Sequence, residues 1–357
     1  MCVDLAPGDG TKTTVSASLK TGKLRVSVLP DFFADRIVTV PSIRRLGRQL
    51  VQKADAGGGN LRGLAQVEMR GGNAVNLAFA LSSFSVKTRL YCVGNDLTRA
   101  ILGIHPKTLE IKVIEGKPGY TTAFEFPYNG RIVNVMLSDV GDVAHFDGTQ
   151  LSAVDLQDLR KCDCIALVNW SCNVRGNDLA EKIFNLEGRN RRLNFLDPAD
   201  FSGAEVRIGT LVEDIIARDR IDVLSINENE ARILARRLQV GILPILYRPK
   251  DLRRISAELH DTLSVTIDIH TPIGSASSVG DETYWANSFG RIKGVVTGAG
   301  DVWDAGDIIG HLLQLEARQR LRLGNACAYL YVASKRAEPP SLPRVLRFLR
   351  RRRIIMT

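Results

Sequence analysis

Near the end of the chain the run Thr297-Gly-Ala-Gly-Asp301-Val-Trp-Asp-Ala-Gly306 opens a helical stretch that continues toward Arg318. Glycine weakens a helix, so its use twice at the start of one points to a demand on backbone shape. Gly298 and Gly300 permit a tight turn in which the N–H groups of Gly298, Ala299 and Gly300 gather at the positive end of the helix dipole, an anion hole suited to a phosphoryl group. Asp301 then stands at the rim. A carboxylate there can take the proton of an attacking hydroxyl while the amides hold the charge that builds on the transferring phosphate. The same residues read equally well as a tight turn with Asp301 as a helix cap.

Three other segments carry usable chemistry. Gly71-Gly72-Asn73-Ala-Val-Asn76 lies between a strand and a helix of small residues. Asn73 and Asn76, one turn apart, can present amides to sugar hydroxyls, although a capped helix with a small-residue face explains them too. Pro30-Asp31-Phe-Phe-Ala-Asp35 follows the first strand and sets two carboxylates at the C-terminal end of the sheet, where open α/β proteins bind ligands; turn-forming acids have the same pattern. Asn227-Glu-Asn-Glu230 leaves a strand and opens a helix, so Asn227 and Glu230 share one face. A hydrated Mg²⁺ would suit that pair, and so would a capping box.

The elements that must position these residues follow from periodicity. Short apolar runs at 24–29, 89–93, 164–168, 193–196, 223–226 and 263–267 read as buried strands, and amphipathic stretches at 75–83, 178–184, 228–238 and 249–259 as the helices between them. That alternation predicts a doubly wound α/β fold, a parallel sheet flanked by helices. Residues 65–69, 120–126 and 131–136 alternate like exposed antiparallel strands and predict a small second sheet, a lid beside the crevice. A long loop is expected from Ile43 to Leu64, with glycines at 57–59. Residues 1–22 read as a flexible leader.

Composition narrows the function classes. The chain has 357 residues, 45% of them hydrophobic, with 31 Gly and 13 Pro, which is ordinary globular usage. Its six Cys (2, 92, 162, 164, 172 and 327) form no C-x-x-C, so they read as reduced thiols, not as a zinc site or disulfide framework. The five His (105, 145, 260, 270 and 311) include no H-E-x-x-H and read as structural or surface groups, with His270 the one that could line a nucleotide pocket. No G-x-x-x-x-G-K-[ST] and no G-x-G-x-x-G after a strand is present. With no membrane-length apolar run and no signal-peptide order, a cytoplasmic site without membrane contact is expected. The net charge of +9 calls for an anionic partner, but much of its clustering lies in Arg344, Arg347 and 350–353. That tail reads first as a solvated or packing helix and second as a nucleic-acid contact.

In order and spacing the motifs resemble the ribokinase-like (PfkB-type) carbohydrate kinases over roughly residues 24–335. Gly71-Gly-Asn-Ala-Val-Asn76 is similar to that family's first signature, Asn227-Glu-Asn-Glu230 to its N-x-x-E motif, and Gly298-Ala-Gly-Asp301 to its second signature and catalytic loop. The resemblance implies a kinase domain over 23–338, with lid strands from about 36–70 and 117–137 and a basic extension at 339–357. It implies Asp301 as base; Gly298, Ala299 and Gly300 as anion hole; Asp35, Gly72, Asn73 and Asn76 as acceptor site, with Asp31 the lesser partner. Asn227, Thr271, Gly274 and Asn325 would meet the nucleotide, and Glu230 would hold Mg²⁺ through water. The donor would be ATP, or ADP or GTP, and the acceptor a sugar, nucleoside or sugar phosphate; exposed lid strands could pair two copies into a homodimer. Where many members have Asp-Thr, this chain has Val295-Val296, which speaks against a potassium site. Pro30 stands where the family usually has Gly near the first strand. The G-A-G-D-x-W-D-A-G form, with Asn169-Trp170 and Asp197-Pro-Ala-Asp200, looks like an archaeal branch in which a ribose 1-phosphate kinase using ADP or ATP is the alternative. A non-catalytic nucleotide- or nucleic-acid-binding protein on the same scaffold is the alternative of another class.

Overall fold

The computed structural model describes residues 2–4, 14–16, 21–129, 131–188, 192–290, 297–334 and 338–354. In chain order the strands are β1 (Cys2–Asp4), β2 (Thr14–Ser16), β3 (Arg25–Leu29), β4 (Phe33–Thr39), β5 (Ala65–Gly71), β6 (Lys87–Gly94), β7 (Leu109–Glu115), β8 (Gly119–Tyr128), β9 (Arg131–Asp139), β10 (Cys164–Val168), β11 (Leu193–Asp197), β12 (Val223–Asn227), β13 (Thr266–Thr271), β14 (Gly274–Val279) and β15 (Glu282–Asn287). The helices are α1 (Ile43–Asp55), α2 (Asn73–Ser83), α3 (Asp96–Ile101), α4 (Ala153–Arg160), α5 (Gly176–Phe184), α6 (Ile208–Leu211), α7 (Glu228–Leu238), α8 (Pro249–Leu263), α9 (Ala299–Leu312), α10 (Ala317–Val332) and α11 (Leu342–Ile354).

Nine strands form the main sheet in the order β15-β14-β13-β12-β11-β10-β3-β6-β7. The seven from β13 to β7 run parallel, and β14 and β15 add an antiparallel hairpin at one edge. The strands are apolar throughout because both faces are covered. In β10, Ile165 and Leu167 join one core with Leu179 of α5 and Leu252 of α8, while Cys164, Ala166 and Val168 join the other with Leu77 of α2 and Ile308 of α9. From β3 the chain winds one way through β6 and β7 and the other way from β10 onward. The strand order thus reverses between β3 and β10, and a crevice opens at their C-terminal ends.

The second sheet has the order β5-β4-β8-β9. Its register sets Asp35 opposite Met69 and Thr121, so these three share the face that carries Val67 and Met136. Val38, Phe124 and Phe126 on the other face pack with Leu46 of α1.

Three expectations are corrected. The segment from Ile43 to Leu64 is not one long loop: residues up to Asp55 form α1, started by Ser42, whose hydroxyl accepts the Arg45 amide at 3.3 Å. Its polar sequence hid it, since only Leu46 is buried. The strand expected at 263–267 begins at Thr266, because Leu263 closes α8 and Ser264 caps it in the left-handed region. The helix expected to run from the glycine turn toward Arg318 stops at Leu312, where Leu313 caps α9 and Gln314 takes a φ of 54°, and α10 begins afresh at Ala317. The tail is a helix, α11, that buries Leu342, Val345 and Leu349 in the core shared with α2, α9 and α10. Of the leader, β1 and β2 form a short antiparallel pair; most of its remaining residues, like Val295 and Val296, lie outside the described residues.

Candidate active site

The glycine turn begins at Gly298, which has φ 81° and ψ 0° and no room for a side chain: a Cβ there would lie 2.9 Å from the Tyr331 hydroxyl and 3.2 Å from Asn76 Nδ2. The Tyr331 hydroxyl in turn donates to the Thr297 carbonyl at 2.9 Å and pins the turn from α10. The first backbone bond of α9 runs from the Val302 amide to the Gly298 carbonyl, 3.1 Å. The amides of Gly298, Ala299, Gly300 and Asp301 therefore have no intrahelical partner, with the helix dipole behind them.

Asp301 is buried, and both its oxygens are held. Asn73 Nδ2 donates to Oδ1 and Asn76 Nδ2 to Oδ2, each at 2.9 Å. Burial, then the charge of Asp197, raise its pKa well above the usual carboxylate range, and the Asn76 amide opposes them. Each oxygen keeps a further lone pair, so the carboxylate is a clamped, strengthened base. The two asparagines expected to meet substrate thus first orient Asp301.

They can do so because α2 starts in a fixed place. Asp31, wholly buried at the switch point, accepts the Asn73 and Ala74 amides at 2.9 Å each and the Asn169 side chain at 3.0 Å. Burial raises its pKa against those bonds. Gly72, at φ 103°, leaves the space: a Cβ would sit 2.9 Å from the Asp31 carboxylate. Asp31 is therefore the cap of α2. Asp35 lies against Gly71 at the base of the lid and is only partly covered; burial first, with Asp31 charge adding and a Thr121 bond opposing, raises its pKa to about 6.

On the other side of the turn a cavity of about 670 Å³ is lined by Ala299, Gly300, Trp303, His270, Asn227 and Tyr329, among others, but not by Asp301. The amide turn thus separates this cavity from the carboxylate. His270 packs its ring on Trp303, 5.1 Å between centroids, and burial lowers its pKa to about 4, so the imidazole is neutral. Asn325 stands in the wall with its amide committed: Oδ1 accepts the Trp303 indole at 2.9 Å and Nδ2 donates to the Ala286 and Asn287 carbonyls. Thr271 also lines the cavity while its hydroxyl donates to the Gly274 carbonyl at 2.7 Å. Gly274 is not a lining residue; it is packed against β15, where a Cβ would lie 2.4 Å from the Ala286 carbonyl.

Asn227 and Glu230 form the capping box of α7. The Glu230 carboxylate accepts the Asn227 amide at 2.7 Å and the Asn227 side chain as well, and Asn227 Oδ1 accepts the Glu230 amide at 3.0 Å. Glu230 is almost fully buried, and burial and then Asp197 raise its pKa. Asp197 and Asp304, quoted in the sequence only as part of longer motifs, complete an acidic group. Asp304 accepts Ser225 Oγ at 2.6 Å through Oδ1, and its carboxyl shares a hydrogen bond with that of Asp197. Burial raises Asp197 to about 6, and burial with Asp197 raises Asp304. Three buried acids this close together, each raised by burial and by the charge of another acid, fit the field of a hydrated cation.

Asp268, Asp307 and His311 also approach one another at ligand distances. There the cation is Arg320, which donates to Asp268 at 2.6 Å, to Ser277 at 2.8 Å and to Asp307. Although burial opposes it, Arg320 holds Asp268 below its ordinary range.

Solved structures resemble the chain over nearly all its length. An adenosine kinase from Sinorhizobium meliloti has a TM-score of 0.68 at 14% identity, covering 92% of this chain and 99% of its own. A ribokinase from Thermotoga maritima gives 0.66 at 17%, covering 92% and 99%. An Arabidopsis thaliana ribokinase complexed with ribose and ATP gives 0.64 at 18%, covering 91% and 98%. No family model matches the sequence, and no curated protein sequence matches it. The chain has the ribokinase-like fold: a mixed, mainly parallel sheet between helices, with a four-stranded lid.

Proposed function

We propose that the protein is a kinase that moves the terminal phosphoryl group of a nucleotide, ATP or else ADP or GTP, to a hydroxyl of a sugar, nucleoside or sugar phosphate. The observation that carries this reading is the clamp of Asn73 and Asn76 on Asp301 at the start of α9, beside helix-start amides that have no partner among the described residues. Burial on one side and a large cavity on the other make that turn a boundary between acceptor and donor. The fold agrees, since a kinase is named in each neighbouring structure described.

In the proposed reaction the acceptor hydroxyl gives its proton to Asp301 as its oxygen bonds the terminal phosphorus and the bridging P–O bond breaks, releasing the shortened nucleotide. The amides of Gly298, Ala299 and Gly300 hold the charge on the transferring group. Asp35 grips a second acceptor hydroxyl, and His270 and Trp303 wall the donor cavity. Mg²⁺, held through water by Glu230 and Asn227 with the field of Asp197 and Asp304 behind them, would neutralise the phosphate oxygens when bound. Five described thiols, Cys92, Cys162, Cys164, Cys172 and Cys327, are free, as in a reducing cytoplasm. Residues 23–338 would form the kinase unit, with 339–357 a packed extension.

A product screen crossing ATP, GTP and ADP with ribose, fructose 6-phosphate, adenosine and ribose 1-phosphate, with and without Mg²⁺, tests the reading. Failure across the grid would favour a binding protein without turnover. We also expect a homodimer through the lid, whose Asp35 face exposes Val67 and Met136. Sedimentation of the Val67→Glu, Met136→Glu variant should then give monomer where the parent gives dimer.

A further inference from the structure

At the far end of the sheet from this site, where β3 and β6 begin, a second cavity of about 440 Å³ is walled by residues of β3, β6, β7 and the end of α4. Its lining holds five cations, Arg25, Lys87, Arg89, Lys107 and Lys161, against two carboxylates, Glu110 and Asp158, which leaves three positive charges in excess. The two carboxylates share one partner, because Arg89 bridges Glu110 and Asp158. The nearby carboxylate of Asp163 is turned to the Arg25 backbone amide, 2.8 Å away. The side chains of Arg25, Lys87, Lys107 and Lys161 have no ion-pair partner among the described residues, and all four residues are exposed. They come from four separate stretches of chain and meet at one concavity, whose floor is formed by the buried Ser27, Thr88 and Cys162.

Solvated lysines scattered on a convex surface repel one another weakly and need no partner. Four unbalanced cations around a hollow raise the local potential and lower it again only when an anion enters. The hollow is within the size range of small-ligand sites. We propose that this cavity binds a small phosphorylated metabolite, with Arg25, Lys87, Lys107 and Lys161 as the clamp on its phosphate. The same strand that brings Arg25 to this cavity leads, past its other end, to Asp31 and Asp35. An occupant here would sit behind the acceptor side of the sheet, apart from both substrates.

The probe is inorganic pyrophosphate, measured by equilibrium dialysis against the full chain with a non-hydrolysable ATP analogue at saturation, so that the turn at α9 is occupied. One pyrophosphate should bind per chain. Lys87→Glu with Lys161→Glu should weaken it by about tenfold or more. The control pair Lys53→Glu with Lys182→Glu, which changes net charge equally, should leave it within about twofold, and thermal melts should show all variants folded. Equal weakening by both pairs, or no binding, overturns the proposal. Displacement of the probe by AMP alone would mark a nucleotide, by ribose 5-phosphate alone a sugar phosphate, and by both a site that reads the phosphate; displacement by neither also overturns it. Because the read-out follows Lys87 and Lys161, it stands apart from any failure of the kinase assay.

Discussion

Replacing Asp301 by Asn tests the proton-accepting role proposed for it. The carboxylate accepts from two side-chain amides, Asn73 Nδ2 and Asn76 Nδ2, each at 2.9 Å. An Asn at 301 keeps one acceptor oxygen and turns its own NH₂ toward the other donor. That leaves one buried donor facing another, a penalty of about 1–3 kcal/mol, unless one asparagine rotates its amide to offer oxygen. Against this, the substitution removes a buried carboxyl whose pKa is already raised by burial. Stability should therefore change little. Turnover should fall by about 10² to 10⁴, the usual contribution of a positioned general base. The assay is kcat and KM with the acceptor found in the product screen, alongside nucleotide Kd by calorimetry and a thermal melt. In the parent enzyme, activity should rise with pH through a titration above the ordinary aspartate range, since the base works only when ionised and its pKa is raised. A variant that keeps more than about a tenth of the activity, or a parent with no such acidic limb, would refute the role of Asp301.

Three other perturbations have definite directions. Asp35→Asn removes a group whose folded pKa, about 6, stands above the unfolded value of 3.8; the native ion is unfavourable above pH 6, and the cost vanishes as pH falls below both values. The variant should be more stable at pH 8 by at most about 3 kcal/mol and unchanged at pH 3 in denaturant titrations, while its acceptor KM rises. Arg320→Ala leaves Asp268 and Asp307 buried without their cation, which should cost roughly 3–5 kcal/mol in the same titrations. Phe348→Ala removes a ring from α11 that packs 5.1 Å from Tyr329 and 4.9 Å from Phe289, beside the donor cavity; nucleotide KM should rise by about threefold or more with kcat nearly unchanged.

What could be read in the sequence was local. Residues 164–168 spell a strand with both faces buried, and the glycine turn before Asp301 announces its own geometry. α1 was hidden because it buries a single leucine, and β14 because Gly-Ser-Ala-Ser-Ser-Val, buried almost to its end, lacks the bulky side chains that mark a strand. The site was legible as a set of motifs and not as a set of contacts. Asn76 and Asp301 are 225 residues apart, and nothing at either position says that one holds the other. The choice between Asp31 and Asp35 rested on resemblance; in the fold Asp31 is enclosed as a helix cap, while Asp35 remains partly open. Asp304 drew no role because its significance lies in its pairing with Asp197, 107 residues away in the chain, a property only of the folded molecule.

The clamp on Asp301 belongs to α2, and α2 follows the lid strand β5 with only Gly72 between them. Any swing of the lid about that joint pulls on the two amides that hold Asp301. An enzyme wired this way would be slow to squander its nucleotide on water while the cover stands open, because the proton acceptor loses its aim together with the shelter. Donor hydrolysis measured without any acceptor should accordingly run far below transfer, and comparable rates would show that cover and base move independently.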